Sequence, residues 1–354
     1  MNNNMKAIRD SVASNTRMMM PGQASFVVDG QFGSTGKGLL SGLYAELFAG
    51  DVDLVASNAG PNSGHTNFYG GEKIVLRQLP TFSVTAKKMG HTIDTYLDAG
   101  AVIDMDVLKG ELDIHDVPVI VNPWAAVINQ SHKEAETQLV EKSGSTGKGI
   151  GAAIAEKVMR KNATFGSQDL SSMGENVIVD TMNVNAKCCD GKTVFVEVSQ
   201  GYSLGLNSGF YPHCTSRECT VSQAMADLGL NPMFYGACSM VLRTYPIRIA
   251  GDSGPGYHGQ REITWSDIGV EPELTTVTQK VRRVFEWSDQ QVAEAISVNR
   301  PEVILLNFCN YLKSMSEVNA YADRLNWIHK QTTGLPAPVL LLGFGPKSEQ
   351  VILA

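Results

Sequence analysis

No run of about 18 apolar residues, the length a membrane-crossing helix needs, occurs anywhere in this chain. Neither a membrane nor export is therefore expected. Residues 1–23 are rich in Asn, Ser and Met and lack an apolar core of signal-peptide length, so they are expected as a mobile N-terminal extension. Cysteine is scarce, with six residues, Cys188, Cys189, Cys214, Cys219, Cys238 and Cys309, and no Cys-x-x-Cys pair. That argues against zinc and against a disulfide framework, and predicts reduced thiols in a cytosolic protein. A basic excess is missing as well, since 29 Lys and Arg face 36 Asp and Glu for a net charge of -7. A nucleic-acid polymer is not the expected partner, because binders of a phosphate backbone carry surplus positive charge. Mononucleotides need only a local basic cluster. No low-complexity linker divides the 354 residues, so residues 24–354 are read as one domain.

What is present is an alternation. Apolar runs at Val52–Val55, Ile74–Leu76, Val117–Val121, Val194–Val198, Met240–Tyr245, Val303–Leu306 and Val339–Leu342 have strand length. Helical spacing marks Ser131–Lys142, Thr220–Leu228, Ser288–Val298 and Ser316–His329 between several of them. Strands alternating with helices predict an α/β fold with a largely parallel central sheet covered on both faces.

The organising stretch is Gln31–Gly38, Gln-Phe-Gly-Ser-Thr-Gly-Lys-Gly. It lies between a bulky strand, Ser25–Val28, and a helix with Leu39, Leu40, Leu43, Tyr44, Leu47 and Phe48 at helical spacing. Such a turn places free backbone N–H groups and Lys37 at a helix N-terminus, which makes an anion site with phosphate as its natural occupant. It is a degenerate P-loop: Gln31 replaces the first glycine, and Gly38 the Ser or Thr after the lysine. The hexapeptide Gly-Ser-Thr-Gly-Lys-Gly returns unchanged at Gly144–Gly149, and two such loops point to two phosphate-bearing ligands. A third loop, Asn58–Thr66, brings glycines and His65, which could donate to developing negative charge or act as a general acid. A glycine turn with a solvated lysine, and a structural histidine, are the plainer readings of these stretches taken singly.

Together the motifs resemble those of adenylosuccinate synthetases. Gln31–Gly38 is similar to their Gln-Trp-Gly-Asp-Glu-Gly-Lys-Gly loop, and Asn62–Thr66 to their Asn-Ala-Gly-His-Thr. Gly144–Gly151, followed by Glu156–Arg160, resembles their Thr-Thr-Gly-Arg-Gly-Ile-Gly loop and the arginine beyond it. Glu197–Thr215 resembles the segment that begins Glu-Gly-Ala-Gln-Gly, Thr276–Arg283 the aspartate loop, and Gly343–Pro346 the C-terminal Gly-Pro loop. The resemblance implies a ligase that forms a C–N bond in two steps. A nucleoside triphosphate phosphorylates O6 of a purine monophosphate, and the amine of L-aspartate then displaces that phosphate.

Position by position, the resemblance assigns His65 to charge building on O6. Gly33, Thr35, Gly36, Lys37, Gly38, Thr66, Arg282, Asn310, Gly343 and Gly345 would bind the triphosphate nucleotide. Asn62, Ser63, Gly64, Thr146, Arg160, Gln200 and Thr215 would hold the purine monophosphate, and Thr276, Thr278 and Arg282 the aspartate carboxylates. Mg²⁺ would sit at Ser34 and Gly64. Arg160 matches an arginine that reaches across a dimer interface, so a homodimer is implied.

Three departures from the family pattern narrow the reading. Ser34 stands where the family keeps an aspartate that takes the purine N1 proton and ligates Mg²⁺. A hydroxyl cannot replace a carboxylate base, but it leaves room and an acceptor for a 2-amino group. Phe308-Cys309-Asn310 replaces Lys-Leu-Asp, and an asparagine is a poor acceptor for the N1 and 2-amino groups of guanine, so ATP or dATP is expected over GTP. The ribose-facing arginine has become Lys280, or Val281 in a register shifted by one, which permits a deoxyribose. These changes point to the phage branch of the family, the N6-succino-2-amino-2'-deoxyadenylate synthases, with dGMP as acceptor and host cytoplasm as location. Asp29, solvent or the aspartate substrate would then take the N1 proton. The alternatives are an ordinary adenylosuccinate synthetase using IMP and GTP, and a nucleotide sensor without catalysis.

Overall fold

The computed structural model describes residues 2–143, 146–161, 165, 170, 173–275 and 279–354. The strand β1 (Ala24–Asp29) alternates its side chains between two cores: Phe26 and Val28 face one side of the sheet and Val27 the other. It lies inside a ten-stranded sheet whose order is Val351–Leu353, Val339–Gly343, Val303–Asn307, Tyr235–Arg243, β1, Val194–Glu197, β2 (Leu54–Ser57), then Asp94–Leu97, Val119–Val121 and Val177–Val179. Every pairing is parallel except that of the edge strand Val351–Leu353. Parallel strands covered on both faces are apolar throughout, and β1, β2 and Val303–Asn307 are buried along their whole length.

The expected helices form, as Gln130–Ser143, Val221–Asp227, Asp289–Asn299 and Met315–Thr333, and a further helix, α4 (Met105–His115), precedes them. Ile74–Leu76, expected among the sheet strands, instead lies in a hairpin of β3 (His65–Tyr69) and β4 (Glu72–Leu76). The alternation Ile74 in, Val75 out, Leu76 in is that of a ribbon with one dry face, which local spacing cannot assign to a particular sheet.

The N-terminal residues also differ from expectation. The helix α1 (Asn3–Asn15) is capped by the Asn2 side chain, which accepts from Met5 N at 2.9 Å, and it buries Met5, Ile8 and Val12. Met18 and Met19 are buried in the same core, and Arg17 donates from Nε and Nη2 to Glu302 Oε1. The apolar residues at i, i+3 and i+7 make one stripe on an otherwise polar helix, too sparse to stand out from sequence. They cover α2 (Lys37–Phe48), in which every residue except Glu46 is buried.

Because the sheet is parallel, the C-terminal ends of its strands share one edge. Asp29, Ser57, Glu197, Arg243, Asn307 and Gly343 all end there, and ligands of open α/β sheets bind outside that edge.

Candidate active site

The loop after β1 is built around a carboxylate. Asp29, 1% exposed, accepts from Gln31 N at 2.9 Å, Gly33 N at 3.3 Å, Thr35 N at 3.4 Å and Thr35 Oγ1 at 2.6 Å. Lys37 Nζ lies 3.7 Å from Asp29 Oδ2 and donates to the Gln200 carbonyl at 2.5 Å. Asp29 thus holds the loop in shape, and with both oxygens engaged it is no candidate for the N1 proton. The N–H groups of Gly36, Lys37 and Gly38, at the start of α2, stay open to an anion. Gly36 has φ +107, and a Cβ there would come 2.2 Å from Asn307 Nδ2, which donates to the Thr35 carbonyl. A Cβ on Gly38 would meet Thr66 N at 2.7 Å, so the start of β3 lies directly over the loop.

That packing delivers His65 and Thr66 to the same place. Nδ1 of His65 is 3.5 Å from Glu197 Oε2, while Nε2 is buried without a partner. Glu197 is fixed by the N-terminus of α3 (Thr81–Lys88), accepting from Thr81 N at 3.1 Å and Phe82 N at 2.7 Å. With Glu197 beside Nδ1, the imidazolium form of His65 would present a second N–H, at Nε2, to a ligand. Gln200, with φ +65, donates from Nε2 to Asn62 Oδ1 at 2.5 Å, which joins two of the expected purine ligands.

Ser34 is exposed, with φ +55, and its hydroxyl accepts from Arg282 Nη1 at 3.1 Å. The other basic residues nearby are used internally. Arg243, fully buried, pairs with Glu273 and donates to the Ser34 carbonyl at 3.1 Å. Arg248 donates to the carbonyls of His213 and Pro255 and stacks over Phe32, and burial holds its guanidinium down at about 10. Arg283 pairs with Glu262. Arg282 is also half-buried, and burial lowers its pKa while Glu273 opposes the shift.

The second hexapeptide differs from its twin. Glu136, on α5 (Gln130–Ser143), accepts from Gly149 N at 2.7 Å, Gly151 N at 2.5 Å and Ala152 N at 3.2 Å, at the start of α6 (Ile150–Val158). An internal carboxylate therefore occupies the helix N-terminus that was expected to take a phosphate. Thr146 remains exposed just before it. This loop approaches the others, since a Cβ on Gly151 would come 3.7 Å from Ser216 and one on Gly60 would come 3.3 Å from Ile150 Cδ1. Thr215 N donates to the Leu204 carbonyl at 2.7 Å, and a Cβ on Gly33 would meet Leu204 Cδ1.

Asn310 is exposed on the turn Cys309–Tyr311, and Gly343 packs on Asn307, which links Gly343 to the first loop. Gly345 lies against Gln350. Ser63 Oγ donates to the Gly60 carbonyl at 3.4 Å. Arg160, at the exposed end of α6, and Lys280, exposed on its loop, are not brought into this cluster by any described contact. Thr276 and Thr278 lie outside the described residues.

Mg²⁺ takes hard oxygen donors and is commonly held by one or two protein groups together with substrate phosphates. The Ser34 hydroxyl and Gly64 carbonyl are exposed oxygens, and a Cβ at Gly64 would meet nothing within 4 Å, so they fit an ion arriving with a triphosphate. Among the described residues no group of three His, Cys, Asp or Glu is gathered for a metal. No described helix is long and apolar enough to cross a membrane.

The family model for adenylosuccinate synthetase matches residues 26–173 and 166–324. The chain belongs to the adenylosuccinate synthetase family. The N6-succino-2-amino-2'-deoxyadenylate synthase of Vibrio phage phiVC8 is 36% identical over 342 residues, covering 92% of this chain and 97% of that one. The adenylosuccinate synthetase of Pyrococcus sp. (strain ST700) is 30% identical over 92% of this chain and 97% of its own. Among solved structures, the succinoaminodeoxyadenylate synthetase of cyanophage S-2L, bound to dGMP and dATP as an energy donor, superposes with a TM-score of 0.83 at 32% identity, covering 94% of this chain and 95% of that one.

Sequence reasoning named Glu197 only inside a motif and missed Glu136 and Asn307 as organising residues. Glu136 had a faint signal, an acidic residue on the helix that precedes the second glycine loop.

Proposed function

We propose that this family member condenses dGMP with L-aspartate at the expense of ATP or dATP, giving N6-succino-2-amino-2'-deoxyadenylate, the precursor of 2-aminoadenine for phage DNA. The observation that carries the reading is Ser34, an uncharged acceptor facing Arg282 at 3.1 Å where relatives that act on hypoxanthine keep a carboxylate. The 36% identity to the phiVC8 synthase and the likeness to the dGMP-bound cyanophage enzyme support it.

In this reading the N–H groups of Gly36, Lys37 and Gly38, with Thr66 alongside, cradle the triphosphate, and Asn310, Gly343 and Gly345 receive its adenine nucleoside. Asn62, Ser63, Gly64, Thr146, Gln200 and Thr215 hold dGMP. The γ-phosphoryl group passes to O6, ADP or dADP departs and the purine N1 proton goes to solvent or the aspartate substrate, while an Nε2–H of His65 donates to the charge that gathers on O6. The amine of aspartate then attacks C6 and phosphate departs. Arg282, with Thr276 and Thr278, clamps the aspartate carboxylates, a task suited to the guanidinium fork. The Ser34 hydroxyl and Gly64 carbonyl would hold Mg²⁺, which would supply charge neutralisation to the triphosphate.

A homodimer completes the proposal. Arg160 is exposed beside Val158 and Met159, which are 72% and 55% exposed, on a face that a second copy would cover while receiving the arginine. Product identification after incubation with dGMP, aspartate and ATP tests the activity: a succinylated 2-aminopurine deoxynucleotide supports it, and turnover confined to IMP refutes it.

A further inference from the structure

Behind the acceptor half of the site lies a charged cluster to which none of the roles above is assigned. Asp98, at the end of the Asp94–Leu97 strand, is fully buried. Its Oδ1 accepts from Gly100 N at 2.8 Å, and its Oδ2 is buried with no partner. Asp227, at the end of the Val221–Asp227 helix, packs so closely that a Cβ on Gly100 would fall 2.3 Å from its Cγ. Asp227 raises the Asp98 carboxyl by its charge, second only to burial. Two cations face the acids. Lys157, on α6, donates from Nζ to the carbonyls of Ala99 and Trp124 at 2.6 Å each. Arg217 spans the group, donating from Nη1 to the Gly100 carbonyl and from Nη2 to the Asn58 carbonyl, both at 2.5 Å.

Asn58 is the hub on the opposite side. Its Nδ2 donates to Asp227 Oδ2 at 3.0 Å, and its Oδ1 accepts from Ser199 N at 3.0 Å, one residue before Gln200. Arg217 follows Thr215 by two residues. A Cβ on Gly60 would lie 3.3 Å from Asn62 Oδ1, 3.3 Å from Ile150 Cδ1 and 3.5 Å from Arg217 Nη2, so the guanidinium sits where the Asn62 loop and the start of α6 converge.

We propose that Arg217 is the positioning residue that registers the loops holding the acceptor nucleotide, those of Asn62, Thr215 and Thr146, with Asp227 holding Asn58, one of its two anchor residues, from the other side. The inference rests on the reading of those loops as the dGMP side of the site. Two prongs fix two carbonyls at once, one at the end of β2 and one after Asp98, so their spacing is set by a rigid plane. A lysine offers a single compact head and can satisfy only one of them well. The donor half, at Gly36–Gly38 and Thr66, makes none of these contacts.

The test measures KM for dGMP, KM for ATP, kcat and melting temperature in R217K, R217Q and D227N. Each prong is a charge-assisted hydrogen bond, so R217Q should raise KM for dGMP by about tenfold or more. R217K should fall between R217Q and the native protein, and KM for ATP and kcat should stay within about twofold. Should R217Q not fold, D227N, which keeps the arginine but weakens the hold on Asn58, is expected to move KM for dGMP in the same direction. An unchanged KM for dGMP in folded R217Q or D227N overturns the proposal, as does an equal rise for both nucleotides, the mark of a purely structural role. Native protein with no dGMP-dependent turnover would instead sink the functional reading. Titration of R217Q with IMP would then decide the registering role, since weakened IMP binding supports it and native affinity ends it.

Discussion

Ser34 holds a left-handed backbone, φ +55, that Asp tolerates better than most side chains, so Ser34→Asp can be made without rebuilding the loop. The new carboxylate would face Arg282 and could accept a purine N1 proton while crowding a 2-amino group. We predict that S34D gains phosphate release with IMP and loses it with dGMP in parallel assays, and an unchanged preference would count against the discriminating role of Ser34. His65 makes a second test: with Nε2 its unpartnered nitrogen, His65→Ala should lower kcat by about 10²–10⁴ while dGMP binding, followed by calorimetry, is kept. A third concerns Asp98, which faces Asp227, Arg217, Lys157 and its strand neighbour Tyr96. Burial first and Asp227 second push its carboxyl up to about 7, against the pull of Arg217. Unfolded aspartate titrates near ~3.9, so between roughly pH 4 and 7 the folded protein keeps a proton that the unfolded chain releases, and stability falls as pH rises through that window. D98N removes the ionisation, so its melting temperature should decline less than that of the native protein from about pH 5 to about pH 8; parallel curves would contradict the assignment. At this scale the glycine loops and His65 were legible because their chemistry is written in adjacent residues. Asp29 as the loop's anchor, Glu136 and Glu197 were not, since their partners become neighbours only when β1, α3 and α6 are in place.

Among the elements, the strands and most helices followed from apolar spacing, whereas α1 did not. Its three buried residues carry little signal until the face of α2 that they cover is known. The helix is nonetheless fastened: Ile8 and Val12 are fully buried, and Asn4 Nδ2 donates to the Val351 carbonyl at 2.6 Å. Ile8→Ala should therefore cost about 2–5 kcal/mol in denaturant unfolding. A loss within a few tenths of a kcal/mol would mean that the segment is a loose extension after all. The two identical hexapeptides teach the converse lesson. The N–H groups at the start of α2 are open, and those at the start of α6 are closed by Glu136 of α5, a carboxylate with no counterpart at the start of α2 among the described residues. Identical local sequence does not even start the helix at the same residue, since the left-handed N-cap is the fourth residue of the first hexapeptide, Gly36, and the last of the second, Gly149; tertiary packing decides which helix end can meet a phosphate.

For the whole molecule, the parallel sheet gathers the ends of its central strands along one edge, and both proposed nucleotide sites open there. The parallel α/β class was readable from the alternation of elements. The ten-strand order was not, because β1 pairs with strands more than 160 residues away, Val194–Glu197 and Tyr235–Arg243. The exposed Arg160, Val158 and Met159 predict a dimer by light scattering, which Arg160→Glu should weaken. The account as a whole turns on which purine the Ser34 side of the site accepts. The most direct measurement is phosphate release, with product identification, by the purified protein supplied with aspartate and either dGMP or IMP, each with ATP, dATP or GTP. The account predicts turnover with dGMP and an adenine triphosphate; turnover only with IMP and GTP would contradict it.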